Sequence, residues 1–170
     1  MRQTFYEFCM LHERTNLLKE WDESRNFSLT PDTVSYGSKK KVWWTCENGH
    51  SWQTTVYVRS EGSGCPYCAG RKVLPGFNDL KTLCPGVAAQ WHPSLNGALT
   101  PEMGMPGSSK KVWWQCSMGH VWKSVIYPRT GAQQCGCPVC AGKGEHNTRA
   151  ALRPARRNSH LYRAVTRPIL

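Results

Sequence analysis

The sequence has no apolar run approaching the roughly 18 residues that a membrane-crossing helix needs, and its mean hydropathy is −0.54. Acidic residues are scarce: 11 Asp and Glu stand against 22 Lys and Arg, a formal charge of +11. Charged residues of both signs make up 19% of the chain and aromatics 11%, a balance that excludes an acidic disordered tail and a coiled coil. The first residues lack the uninterrupted apolar core of a secretory signal, because Glu7, Cys9 and Glu13 fall inside it. These absences lead us to expect a soluble, cytoplasmic protein. Its 170 residues suffice for one ordinary domain or two small ones.

What is abundant is cysteine, with nine, and tryptophan, with eight. An odd cysteine count leaves one thiol outside any closed disulfide framework, and nothing points to secretion. The tryptophans reveal a repeat. A shift of 70 residues superposes Trp21 on Trp91, Trp43-Trp44 on Trp113-Trp114 and Trp52 on Trp122. Across 17–59 against 87–129, 19 of 43 positions are identical without a gap. The register then slips by two, so that Gly64-Cys65-Pro66-Tyr67-Cys68-Ala69-Gly70 matches Gly136-Cys137-Pro138-Val139-Cys140-Ala141-Gly142. The chain is a duplicated module.

Both copies read alike. A short helix is expected to end near the first Trp (16–21 and 86–91). Lys-Lys-Val-Trp-Trp-x-Cys begins a strand, and Cys-x-x-Gly-His makes a tight turn. His-x-Trp opens a second strand that is expected to continue through Val56-Tyr57-Val58 or Val125-Ile126-Tyr127. Residues 1–16 read as a helix with Phe5, Phe8 and Leu11 or His12 on one face. In the bridge that follows Leu74-Pro75-Gly76-Phe77, Asn78 is expected to cap a helix over 79–83. The domain boundaries follow: 1–73 for the helix and first module, 74–143 for the bridge and second module, 144–170 for a basic, disordered tail.

Six cysteines and two histidines carry the chemistry. Cys46 and His50 with Cys65 and Cys68, and Cys116 and His120 with Cys137 and Cys140, are two pairs of pairs. Structural Zn²⁺ takes four such donors in a tetrahedron, and Cys-x₂-Cys delivers two sulfurs from one turn. Inert buried cysteines would not need histidines at matched positions, and no βαβ pattern surrounds the Cys-x₂-Cys pairs as in thioredoxin-like dithiols. Rubredoxin-like iron is disfavoured by the histidine ligand. Cys9, Cys84 and Cys135 have no counterpart in the other copy, although Cys135 lies close enough to Cys137 to compete with it. The cofactor expected is two structural Zn²⁺ per chain.

The pattern Lys-x-Trp-Trp-x-Cys-x₃-His-x-Trp followed by Gly-Cys-Pro-x-Cys-Ala-Gly resembles a family of zinc-ribbon, treble-clef-like domains found mainly in bacteria and usually in tandem. The bridge Leu-Pro-Gly-Phe-Asn-Asp-Leu (74–80) also looks like that family. The resemblance spans about residues 3–143. It implies a small α+β, metal-stabilised fold: two tandem modules, each a zinc-bound β-hairpin with short helices, of unassigned activity and sometimes attached to nuclease-type domains. Residues 144–170 depart from it.

With all four donors supplied by protein, neither zinc keeps the open position that catalysis requires. His12, His92, His146 and His160 are scattered and unrepeated, so no enzyme is expected. Adjacent strand residues face opposite ways, so one Trp of each pair enters the core and the other faces out. The outward indole, assigned to Trp43 and Trp113, is either core filling in a small module or a stacking platform for a base. Lys39, Lys40, Lys41, Lys110 and Lys111 precede these strands, and Arg59, Lys123 and Arg129 extend the basic surface. Residues 1–70 hold eight basic and eight acidic groups, 71–142 seven and two, and 143–170 seven and one. The function expected is a nucleic-acid binder, of DNA or RNA, using backbone contacts and aromatic stacking. The alternatives are a protein-interaction adaptor for an acidic partner and an accessory part of a nuclease system.

Overall fold

A computed structural model describes residues 2–143; the basic tail lies outside the described residues. The chain divides after Asn78 into two compact units, so the bridge residues 74–78 fold with the first. None of the described helices is long and apolar enough to cross a membrane.

The first unit opens with α1 (Phe5–Leu11), α2 (Thr15–Lys19) and α3 (Glu23–Asn26). Thr4 starts α1 through a capping box: its hydroxyl accepts from the Glu7 amide while the Glu7 carboxylate accepts from the Thr4 amide. The expected single helix over 1–16 is shorter than its pattern suggested. Glu13 has φ +53 and turns the chain. The buried stripe is Phe5 and Cys9, four residues apart, with Leu11 and His12 left to solvent.

The hairpin pairs β1 (Lys41–Thr45) with β2 (Ser51–Thr55), antiparallel, with Trp43 opposite Gln53 and Trp44 opposite Trp52. Strand alternation sends Trp44 inward to 0% exposure and leaves Trp43 half-buried. Residues 20–22 run along the free edge of β1, where the Thr45 amide donates to the Glu20 carbonyl at 2.8 Å. This brings the Trp21 ring edge-on to Trp44, 5.3 Å between centroids. The chain does not extend β2 through Val56-Tyr57-Val58. Thr55 instead caps α4 (Val56–Ser60), its hydroxyl accepting from the Val58 amide at 3.2 Å. The cap favours this turn, but the second copy leaves its strand at the same point with Val125 in place of Thr55 and no side-chain cap. The surrounding chain, not the cap alone, overrides the strand preference.

The second unit repeats this plan. α5 (Leu80–Leu83) and α6 (Pro85–Ala88) precede a 3₁₀ turn (Pro101–Met103), then β3 (Lys111–Gln115), β4 (Val121–Val125) and α7 (Tyr127–Thr130). Trp113 pairs with Lys123 and Trp114 with Trp122, and Trp91 meets Trp114 edge-on at 5.5 Å. The cap of α5 is Asp79, whose carboxylate accepts from the Thr82 amide at 2.9 Å. Asn78, expected in that role, instead accepts from the Leu74 amide and donates to the carbonyls of Tyr67 and Lys72, tying the bridge to the first module.

One position separates the copies sharply. Phe27 has φ +48 and is 87% exposed, whereas its counterpart, Gly97, has φ +59. A side chain in this region is strained by about 1–2 kcal/mol, and nothing is buried in return. Phe27→Gly is therefore expected to raise stability by about 1 kcal/mol, after the entropic cost of glycine is subtracted, read as a higher urea midpoint with unchanged slope.

Candidate metal centres

Each hairpin turn carries the first two donors. The Cys46 amide donates to the His50 carbonyl at 3.1 Å and the Gly49 amide to the Cys46 carbonyl at 2.8 Å, with Gly49 at φ +77. Cys116, Gly119 (φ +79) and His120 reproduce this turn with bonds of 3.1 and 2.9 Å. The second two donors come from a compact turn after the hairpin, where Ala69 and Ala141 amides donate to the carbonyls of Cys65 and Cys137.

The donor atoms of Cys46, His50, Cys65 and Cys68 all lie within 4.8 Å of one another, as do those of Cys116, His120, Cys137 and Cys140. Their spacing tests the fit. Zn–S bonds of about 2.3 Å and Zn–N bonds of about 2.0–2.1 Å give regular tetrahedral edges of about 3.8 Å between sulfurs and about 3.6 Å from sulfur to nitrogen. The observed S···S edges are 3.8 Å (Cys46 to Cys68) and 3.9 Å (Cys116 to Cys140). From His50 Nδ1 the sulfurs of Cys68 and Cys65 lie at 3.2 and 3.8 Å. From His120 Nδ1 those of Cys140, Cys116 and Cys137 lie at 3.3, 3.5 and 3.7 Å. Thiols that merely pack together have no reason to take tetrahedral edges around a histidine nitrogen. Each Cys₃His group fits one structural zinc ion, and four protein donors complete its coordination.

Neighbours orient the ligands. The Asn48 amide reaches Cys68 Sγ at 3.4 Å and holds that thiol below its ordinary pKa, favouring the thiolate that zinc requires. Phe77 of the bridge packs edge-on against His50, 4.2 Å between centroids. The three unrepeated cysteines stand apart. Cys9 is buried and burial pushes its thiol up to about 11. Cys84 is half-buried in the second core, and Cys135 is exposed, its sulfur 4.0 Å from Gln133 Oε1. Cys137 is the ligand.

The basic residues divide into two groups. Lys39, Lys40, Lys41, Lys110, Lys111 and Lys123 are exposed, and Trp43 and Trp113 are half-buried beside them. Arg25 stands 4.9 Å above the Trp43 ring and Lys123 5.6 Å above Trp113. Arg59 and Arg129 correct the sequence reading, because they are 3% and 5% exposed and present no surface to a phosphate. The Arg59 guanidinium lies over Trp44 and Trp52 at 5.3 and 5.9 Å, pairs with the Glu20 carboxylate and donates to the Ser63 carbonyl. Arg129 lies over Trp114 and Trp122 at 4.2 and 5.1 Å. It donates from Nη2 to Gln90 Oε1 at 2.6 Å and from Nε to the Cys135 carbonyl at 3.1 Å.

Sequence reasoning missed a second pair of structural residues. Asn26 accepts from the Trp43 amide at 2.7 Å and donates to the Trp43 carbonyl at 2.9 Å. Asn96 does the same to Trp113, at the same distances. These bonds fix the backbone from which each outward indole projects. The signal was present, since Asn26 and Asn96 are among the identical positions of the repeat.

Structural zinc binding is folding free energy. Elemental analysis should therefore give two zinc ions per chain, and chelation should unfold both modules, seen as loss of near-ultraviolet circular dichroism. Protons compete for every ligand, so lowering the pH from 7 to about 5 should release metal and stability together. A companion set locates the ligands: Cys137→Ser should lose one zinc per chain, while the triple change of Cys9, Cys84 and Cys135 to Ser should lose none.

No curated protein matches the chain by sequence. A family model described as a probable treble clef zinc finger domain matches twice, at residues 17–71 and 87–143, and both stretches contain a complete Cys₃His group. The chain belongs to this treble clef zinc finger family, in two tandem copies.

Proposed function

We propose that the protein binds nucleic acid, through backbone contacts from exposed lysines and stacking on the outward tryptophans, with zinc in a structural role and no catalysis of its own. One repeated arrangement carries this reading. In each copy a half-buried indole, pinned by an Asn to its backbone, has a cation over its ring and exposed lysines at the start of its strand. Cation and indole, Arg25 with Trp43 and Lys123 with Trp113, lie close enough to serve one nucleotide, the cation for phosphate and the ring for the base. In the first copy the exposed Phe27 stands two residues along the chain from the Arg25 that lies over Trp43.

Sequence readout is not part of the proposal, because the described helices run no longer than seven residues and none can fill a major groove with base contacts. A cytoplasmic location suits the reading, since thiolate ligands and nucleic acid coexist there under reducing conditions.

The test is a salt titration of the full chain on duplex DNA, single-stranded DNA and RNA by fluorescence anisotropy. Affinity should fall steeply with salt as counterions are released. Changing Lys110 and Lys111 to Glu should weaken binding to every sequence alike and reduce the salt slope by about 2. Trp113→Ala should cost about 1–3 kcal/mol on single strands and less on duplex. If no nucleic acid binds at low salt while an acidic protein does, the adaptor reading replaces this one.

A further inference from the structure

The two metal centres offer the same four donors in different surroundings. In the first, the Asn48 side-chain amide donates to Cys68 Sγ at 3.4 Å. The matching residue of the second copy is Met118, a thioether with no hydrogen to give, and it is 74% exposed. Cys140, the counterpart of Cys68, is itself exposed. Among the described residues its sulfur meets Cys116 and His120 of its own centre, and no donor from outside it.

The histidines differ as well. Tyr67 and Phe77 both pack edge-on against His50, at 5.8 and 4.2 Å between centroids. Phe77 sits in the bridge, which Asn78 ties to the carbonyls of Tyr67 and Lys72, so this cover over the imidazole is anchored at both ends. In the second copy Val139 replaces Tyr67, and the sequence after Cys140 does not repeat Leu-Pro-Gly-Phe. Among the described residues no aromatic ring lies against His120. Outer contacts of this kind hold a ligand in its bonding direction and keep water off it, and losing one costs about 10–100-fold in metal affinity. One difference acts the other way: Arg129 has neutral Gln90 where Arg59 has Glu20, and its charge favours a net anionic centre through space. The Asn48 bond and the two rings touch ligand side chains directly, and we give them the greater weight.

We propose that the two zinc ions are held unequally: the first is permanent, and the second exchanges with its surroundings, so that the second module closes and opens with zinc supply while the first stays folded. Structural zinc binding is folding free energy, and each module has a core of its own. Loss of one ion therefore opens one module. None of this rests on the nucleic-acid reading.

The test is release of zinc from the fully loaded full chain to an excess of chromophoric chelator, read as absorbance. Two phases of equal amplitude are expected, their rates about 10–100-fold apart. N-ethylmaleimide added after the fast phase, followed by peptide mass mapping, should mark Cys116, Cys137 and Cys140 and leave Cys46, Cys65 and Cys68 unmarked. Near-ultraviolet circular dichroism should by then be lost only in part, as one set of tryptophans is released. Met118→Asn changes an exposed side chain that the core does not use. It should slow the fast phase about tenfold and leave the slow phase alone. Asn48→Met should quicken the slow phase alone. The proposal is overturned if both ions leave in one phase, if the cysteines of the first module are marked first, or if neither substitution shifts the phase of its own centre.

Discussion

Four donor atoms drawn onto one metal hold each module closed, and the rest of the structure is arranged around that closure. A module of about 60 residues buries too little surface to be secure by packing alone. Its apolar core in the second copy is Leu80, Ala88, Val112, Trp114, Trp122 and Ile126 with the ligand Cys137. Only Cys65 and Tyr67, or Cys137 and Val139, bring the Cys-Pro-x-Cys turn into the core that the hairpin builds. Zinc therefore does what a disulfide does in a secreted domain of this size, and it does so with reduced thiols.

Beneath the metal lies a second constraint, the buried arginine. Packing a guanidinium over two neighbouring indoles gives it cation–π contact, while its edge nitrogens need acceptors. The fold supplies two acceptors to each, one from the chain that flanks β1 or β3 and one from the loop before the last Cys pair, and among the described residues Arg59 Nε and Arg129 Nη1 are buried without a partner. The arginine thus joins three segments distant in sequence. Removing it would leave its acceptors unpaired and a gap between rings, a heavier loss than that of a surface cation.

The spacing of Cys, His and Trp made the duplication, the eight ligands and the inward and outward faces of the hairpins legible from sequence, because metal geometry and strand alternation both leave fixed intervals. What stayed hidden were decisions made by individual polar groups. Val56-Tyr57-Val58 has strand composition, yet the Tyr57 amide turns to the Ser38 carbonyl, as the Tyr127 amide does to Ser108. The chain leaves the sheet for a helix in both copies, with Thr55 as a cap in the first and Val125 in its place in the second. Asn78 and Asp79 are both good caps, and only the three-dimensional demand for Asn78 at the bridge leaves Asp79 at the helix. Arg59 and Arg129 look like surface cations because basic residues are rarely buried. Their repetition with Trp44, Trp52 and their counterparts was the available clue, and it needed the structure to show that the rings enclose them.

The same hydrogen-bond logic explains how two copies of one scaffold come to carry different electric fields. The first copy has acids at Glu20, Asp22, Glu23 and Glu47 where the second has Gln90, His92, Pro93 and Ser117. Two of these acids make structural bonds, and both bonds persist without the charge. Asp22 accepts from the Arg25 amide at 3.1 Å, and His92 Nδ1 takes the Ser94 and Leu95 amides at 3.2 Å each, which requires an unprotonated nitrogen. Glu20 accepts from Arg59, and Gln90 accepts from Arg129. Local geometry is thereby preserved while the negative charge is removed. Selection for stability alone has no use for that pattern, because a buried guanidinium is better served by a carboxylate than by an amide. The same strand face carries Lys123 where the first copy has Gln53, so each of these differences makes the second module more positive than the first.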